Sequence, residues 1–303
     1  MPSLKALRGR IKSVQSTKKI TSAMKMIAAA KLRKAQDRAQ SARPYAVYMA
    51  QILADLASTQ RDSSNAPALL MGNGKDQKHL IVVSTSNRGL CGGFNSTIVR
   101  KAKALAVSLK KEGKEVTFYC IGRKAFDQLR REYENSIVAR KGALTTPAYV
   151  DADLITQDLI TRFHKGEFDV CTVVYNRFLS PLKQEVTAHR LIPFTQLEDD
   201  YKLFKLEGQV STIPSNAVRS IYEYEPDQDQ VLKALLPKNI TVQVFRSLLE
   251  NAASEHGARM AAMDGATRNA NDMIKSLTLT FNRTRQAYIT RELIEIISGA
   301  EAL

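Results

Sequence analysis

Between Lys238 and Leu303 the chain runs for 66 residues without a proline, and its apolar and small side chains recur at alternating steps of four and three. Phe245, Leu249 and Ala252 lead to Met260, Met263, Thr267, Ala270, Ile274, Leu277, Phe281, Thr284 and Tyr288. An average repeat of 3.5 residues marks a coiled-coil seam, narrower than the stripe of a globular helix. At 1.5 Å per residue, about 60 helical residues span roughly 90 Å, far beyond a small domain. A helix of that length is a shaft or a spacer.

The first 58 residues read as a second long helix. Its only breakers are Gly9 and Pro44, and a bend or local break is expected at Pro44. Leu4, Leu7, Ile11 and Val14 set a heptad seam, which Ile20, Met24 and Ile27 continue after a slip of phase. Ala28, Leu32, Ala35, Ala39 and Ala42 then form a narrow stripe of small residues, which allows two helices to approach closely. The two terminal helices are expected to pair antiparallel, because the segment between them can fold back as one unit. A repeat below 3.6 residues implies left-handed supercoiling.

Charge is placed unevenly. The chain carries a net +15, yet residues 1–43 hold seven Lys and five Arg against Asp37 alone, a net +11. Residues 238–303 hold eight basic and seven acidic groups, a net +1. An acid-free basic start fits a mitochondrial transit peptide or an arm that binds nucleic acid. A secretory signal is excluded, because Met26–Ala30 is short and flanked by Lys25 and Lys31. The charge is therefore read as belonging to the working protein. No apolar run approaches the roughly 20 residues that cross a bilayer, so membrane association is expected to be peripheral. Cys91, Cys120 and Cys171 are widely spaced and form no CxxC, which points to three buried thiols in a reducing compartment.

Between the helices, residues 59–77 read as a polar linker and residues 78–195 as a compact α/β domain. Strands are expected at Leu80–Ser84, Val116–Ile121, Ser136–Arg140, Asp169–Tyr175 and Glu185–Ile192. Helices are expected at Asn95–Lys111, Arg123–Tyr133 and Ala152–His164. Strands alternating with helices predict a mostly parallel, Rossmann-like sheet, with the last two strands as a closing pair. Residues 196–237 read as an irregular projection.

The string Ser86–Asn95 (SNRGLCGGFN) is the most enzyme-like feature. A glycine-rich turn between strand and helix can aim backbone N–H groups at a phosphate. Its glycines do not fit GxGxxG and no Gly-Lys-Ser/Thr follows, so the competing reading is a tight turn with Asn95 or Ser96 as N-cap. His79, His164, His189 and His256 are scattered without metal-ligand spacing, and His256 falls on the C-terminal seam as a packed helix residue. No catalytic set, cofactor or metal is expected. Lys18, Lys19, Lys25, Lys31, Arg33, Lys34 and Arg38 surround the apolar stripe of the first helix without acids before Asp37. Nucleic acid would satisfy that charge. An acidic protein surface fits as well, since no aromatic precedes Tyr45 and no base-reading module is present.

Three separated motifs resemble the gamma subunits, the central-stalk rotors, of F-type ATP synthases. They are Arg10–Met26 followed by AAAKLRK, the loop Ser86–Asn95 with Asn87 where Asp is also common, and Ile289–Ala300 (ITRELIEIISGA). Together with Glu255–Asn269 they extend the resemblance over essentially the whole chain.

The resemblance implies a non-catalytic subunit. Residues 1–58 and 238–303 would form a coiled-coil shaft inside a ring of alpha and beta subunits, with the glycine-rich loop purely structural. A globular base would meet the epsilon subunit and the membrane ring of c subunits. Arg285, Gln286 and Thr290 would hydrogen-bond catalytic subunits near the shaft's end, and Met24 would lie in the segment needed for efficient coupling. Lys25, Lys31, Arg33 and Lys34 would face acidic segments of those subunits, and Tyr222, Glu223, Tyr224 and Glu225 would meet the rotor ring. The implied location is the cytoplasmic face of a bacterial inner membrane, or the matrix face of the mitochondrial one.

Overall fold

The structure, a computed structural model, describes residues 3–60, 67–142, 146–194, 225 and 227–301. Two compact units are present: Met1–Ala30 with Arg259–Leu303, and Lys31–Ala258. Helices α1 (Leu4–Gln60) and α6 (Gln228–Glu301) each contribute to both.

The larger unit is built on five strands: β1 (Lys78–Ser84), β2 (Glu115–Ile121), β3 (Ile137–Lys141), β4 (Val170–Phe178) and β5 (Gln184–Ile192). Their order is β3-β2-β1-β4-β5, parallel throughout except that β5 runs antiparallel to β4. The expected alternation of strands and helices, including the closing pair, is what the chain adopts. Strand β1 is buried from His79 onward because both faces of the sheet are covered, the arrangement that demands a continuous apolar run. Side chains alternate across a strand. Ile81 and Val83 therefore enter a core with Phe94, Ile98 and Ala102 of α3 (Phe94–Lys111) and Leu129 of α4 (Arg123–Tyr133). Leu80 and Val82 enter the opposite core with Ile155 and Leu159 of α5 (Tyr149–His164), Leu232, Leu236, Ile240 and Leu248 of α6, and Met49 and Leu53 of α1. The short α2 (Ala68–Met71), inside the stretch read as a linker, adds Leu69 and Leu70 to that core.

Helix α6 starts at Gln228, ten residues before the start expected after Pro237. Asp227 Oδ1 accepts the Gln230 N–H at 2.8 Å, a side-chain cap that opens the helix upstream of the proline. Pro237 costs one intrahelical hydrogen bond, and burial of Leu232, Leu236 and Ile240 offsets it. Pro44 is likewise carried inside an uninterrupted α1, so the expected break does not occur. The segment 196–224 and its proposed ring-contact residues Tyr222, Glu223 and Tyr224 lie outside the described residues; Glu225 is exposed.

Candidate functional site

In the smaller unit the two helices run antiparallel. The Arg8 guanidinium lies over the Phe281 ring, 5.7 Å from its centroid, and Lys25 Nζ donates to Asp264 Oδ1 at 2.6 Å. From Arg8 to Lys25 one helix rises 17 residues while its partner falls 17, from Phe281 to Asp264. Between these contacts, the Thr21 and Thr267 hydroxyls are hydrogen-bonded across the pair at 2.8 Å.

On α6 the expected seam residues Met260, Met263, Thr267, Ala270, Ile274, Leu277, Phe281 and Thr284 are all covered; up to Thr267 their neighbours are partly covered as well, and beyond Asn271 only the seam positions are. On α1 the outcome differs from expectation. The seam does not slip: Leu4, Ile11, Lys18, Lys25 and Leu32 alternate with Leu7, Val14, Thr21 and Ala28 as covered residues. Ile20 and Ile27, read as seam residues, are 59% and 57% exposed. Three polar residues, Lys18, Thr21 and Lys25, occupy covered positions of this phase, and two of them find side-chain partners there. Thr21 reaches the Lys18 carbonyl as well as Thr267, and Lys25 has Asp264. Sequence reasoning missed Thr21 and Asp264. The strict spacing of seven through Leu7, Val14, Thr21 and Ala28 was the signal for the first.

The seam ends at Thr284. Every described side chain from Arg285 to Ala300 is exposed, among them Tyr288, Ile289, Leu293, Ile294, Ile296 and Ile297. Apolar residues thus stand on several faces of a helix that nothing among the described residues covers. Arg285, Gln286 and Thr290 belong to this segment; Thr290 Oγ1 donates to the Gln286 carbonyl at 3.0 Å. Met24 and Lys25 are half-buried, and Lys25 pairs with Asp264, which lies 21 residues from Arg285, roughly 30 Å along a helix. The structure therefore brings Arg285, Gln286 and Thr290 together and keeps them far from Met24 and Lys25. Asp264 also pairs with Arg268, and the Lys25 hydrogen bond holds its carboxyl below the usual carboxylate range. Lys31, Arg33 and Lys34, in the larger unit, are exposed.

The competing candidate, the sheet's carboxyl edge, is filled by the chain itself. In a doubly wound sheet, ligands enter where neighbouring strands send their connections to opposite faces, here between β1 and β4. At that point Asn251 of α6 accepts the Asn176 N–H at 3.2 Å and donates to Ser84 Oγ at 3.1 Å, and Ser254 Oγ donates to the Asn176 carbonyl at 3.0 Å. The glycine-rich loop closes on itself in the same way. Asn95 Oδ1 accepts the Ser86 N–H at 2.9 Å, so Asn95 ties the loop together, and α3 begins after Gly93 with no side-chain cap. The N–H groups opening α4 go to Asn87 Oδ1, the Ser86 carbonyl and Thr85 Oγ1 at 3.1, 3.1 and 2.8 Å. Those donors, which could have met a phosphate, are spent within the loop.

Cys91, Cys120 and Cys171 are buried thiols in no disulfide, and burial pushes the Cys120 thiol up to about 12. His189 bonds Gln243 and His79 meets Asp76, while His256 is buried on α6. No group of three or more metal-binding side chains exists among the described residues.

Comparison with known proteins then decides the family. Residues 3–303 match the family described as ATP synthase. The chain is 51% identical over 309 residues to an ATP synthase gamma chain of Rhodospirillum rubrum, covering all of both sequences. It is 52% identical over 307 residues to the gamma chain of Jannaschia sp. (strain CCS1), again over the full length of each. The chain belongs to the ATP synthase gamma-chain family. Among solved structures, it is similar to the central stalk and c-ring of the Tetrahymena thermophila mitochondrial ATP synthase. The TM-score is 0.60 at 25% identity, covering 82% of this chain and 99% of that one. The rotor of the Euglena gracilis mitochondrial ATP synthase shares the fold with a TM-score of 0.65 at 19% identity, covering 94% and 98%. As a gamma chain, it is a non-catalytic subunit of the complex and serves as its central stalk.

Proposed function

We propose that residues 1–58 and 238–303 act as the shaft of the rotor, and that the segment beyond Thr284 engages the catalytic subunits. The observation that carries this reading is the bare end of α6: apolar side chains on several faces, with Arg285, Gln286 and Thr290 exposed beside them. Such a surface gains stability only when a ring of partners covers it. Arg285 and Gln286 supply fixed donors, while Ile289, Leu293 and Ile297 supply apolar contact that tolerates rotation.

The alpha and beta subunits are the proposed partners of this end. Met24, Lys25, Lys31, Arg33 and Lys34 would face acidic segments of the same ring. The base, 78–195 with 196–237, would meet the epsilon subunit and the ring of c subunits, the latter through Tyr222, Glu223, Tyr224 and Glu225. Proton flow through the membrane sector would turn the ring of c subunits and the shaft together. Coupling follows from differential contact, because each rotor angle favours a different conformation of each surrounding subunit. The complex would sit on the cytoplasmic face of a bacterial inner membrane. No described helix is long and apolar enough to cross one, so attachment would run through partners.

The testing experiment is recovery of partners by the immobilised full chain from alpha and beta subunits supplied together. An oligomeric ATPase should be retained, and should be lost when the chain is truncated after Thr284. Equal retention by the truncated chain would move the main contact elsewhere.

A further inference from the structure

Small side chains on the inner stripe of α1 were expected to let its partner helix approach closely. Along Ala39, Ala42 and Ala46 they instead leave a cavity of about 520 Å³ between α1, α6 and the start of α5. That volume lies within the range of pockets that take small organic molecules. One wall is the Phe245 ring, with Tyr149 packed edge-on against it at 5.9 Å. Tyr45 stands exposed at the mouth.

One polar group in this apolar setting has an unmet requirement. Glu250 lines the cavity and is 4% exposed. Its Oε1 accepts the Arg246 Nε–H at 2.7 Å, whereas its Oε2 is buried with no hydrogen-bond partner among the described residues. A buried carboxylate oxygen without a donor is costly, so a ligand that donates to it would recover that free energy. The charges nearby select the kind of donor. Arg246 and Lys238 also line the cavity, so two positive groups stand against one negative, and a cationic ligand would be repelled. An anionic ligand would set a second negative charge against the Glu250 carboxylate.

We propose that this cavity is a binding site for a small, neutral, ring-bearing molecule carrying one hydroxyl or N–H donor. Its apolar body rests on Ala39, Ala42 and Ala46 against Phe245 and Tyr149, and its donor bonds Glu250 Oε2. The site uses none of the residues assigned to catalytic-subunit contact, so it stands or falls independently of that assignment.

A matched pair of probes tests it on the full chain: 4-butylphenol, and 4-butylanisole, in which the donor proton is replaced by methyl. Ligand-observed NMR titration should give binding of the phenol and at least about tenfold weaker binding of the anisole, the ratio expected for one hydrogen bond to a charged acceptor. Ala42→Leu, which fills the floor, should weaken both probes by about tenfold or more. Glu250→Met should bring the two probes to within about threefold of each other. Circular-dichroism melts accompany each variant. If Glu250→Met does not fold, the wild-type probe ratio and Ala42→Leu decide the matter. Equal affinity of the two probes for the wild-type chain, unchanged binding by Ala42→Leu, or no binding of the phenol up to its solubility would each overturn the proposal.

Discussion

Thr21 and Thr267 share a hydrogen bond across the paired helices at 2.8 Å, and each hydroxyl also reaches back to its own helix, to the carbonyls of Lys18 and Met263. This polar layer sits where an unbroken apolar seam would place Val or Leu. Removing one hydroxyl sets the other, still bonded to the carbonyl of its own helix, against an apolar methyl in a covered position, whereas removing both leaves two nearly isosteric apolar groups in contact. We expect Thr21→Val and Thr267→Val each to cost about 1 kcal/mol, and the double variant no more than either single one. Urea unfolding of the four chains measures this directly. Strict additivity of the two losses would mean that the hydroxyls do not work as a pair.

The same layer shows what could be read from residue types and what could not. The apolar periodicity of α6 was legible from Met260 to Thr284, because each seam position there is apolar or small. On α1, three of the seam positions between Val14 and Ala28 are Lys18, Thr21 and Lys25, and following hydrophobicity led instead to Ile20 and Ile27 on the exposed face. Seam membership there depends on partners 239 and 246 residues away, Asp264 and Thr267, which local sequence does not display. The sheet was legible because β1, β2 and β4 are short apolar runs bounded by glycine or polar turns. Closure of its crevice by Asn251 and Ser254 was not, because it depends on where α6 crosses the strand ends.

Lys25 and Asp264 form an ion pair whose side chains are 45% and 36% exposed, and water and salt screen it. Asp264 is held below the ordinary carboxylate value of 3.8, chiefly by the Lys25 hydrogen bond. Its folded-state value is the lower one, so its contribution is present above the unfolded value and fades as pH falls through the folded one. Asp264→Asn should therefore change the melting temperature little at pH 7, and should reduce its fall below about pH 4. A large loss at pH 7 would show that the pair governs the register of the helices.

His79 and Asp76 give a second acid response, at higher pH. Burial holds the imidazole below its ordinary 6.5, although Asp76 Oδ1, 2.9 Å away, pulls the other way. The unfolded chain then binds more protons than the folded one just below pH 6.5, so stability is complete above that value and declines as pH falls toward the folded one. Asp76 is held below 3.8 mainly by its hydrogen bond from Lys114, and its share is lost only in stronger acid. The melting temperature should fall between pH 7 and 5, and His79→Leu should flatten that part of the curve while the drop in stronger acid remains. An unchanged slope in His79→Leu would assign the response to other groups.

Gly122 joins β2 to α4 with φ +96°, and a Cβ there would run into the carbonyl of Thr85. Thr85 is itself fixed, because its N–H goes to the Ile121 carbonyl and its Oγ1 accepts the Ala125 N–H. Neither partner can yield without breaking the turn that fills the edge of the sheet. Gly122→Ala should cost about 3 kcal/mol, combining backbone strain with overpacking. Gly113→Ala, with a similar φ of +78° but open space around it, should cost only about 1 kcal/mol. Equal losses in the two variants would show that the contact with Thr85 contributes nothing.

The helix end from Arg285 to Ala300 has every described side chain exposed, so tertiary packing adds nothing to its backbone hydrogen bonds. A single helix of about 16 residues is only marginally stable in water. Amide hydrogens of this segment should therefore exchange far faster in the isolated chain than those of Met260–Thr284, whose seam positions are covered. Assembly with the catalytic subunits should slow the exchange of residues 285–300 by several orders of magnitude while leaving the strongly protected sheet unchanged. Arg285→Ala combined with Gln286→Ala should leave the isolated chain's unfolding free energy within about 0.5 kcal/mol of wild type, because neither side chain packs against anything described. In the reconstituted complex the same double variant should lower ATP synthesis relative to hydrolysis and reduce the exchange protection of the helix end. Full protection and full synthesis in that variant would place the working contact on the apolar residues Ile289, Leu293 and Ile297 instead.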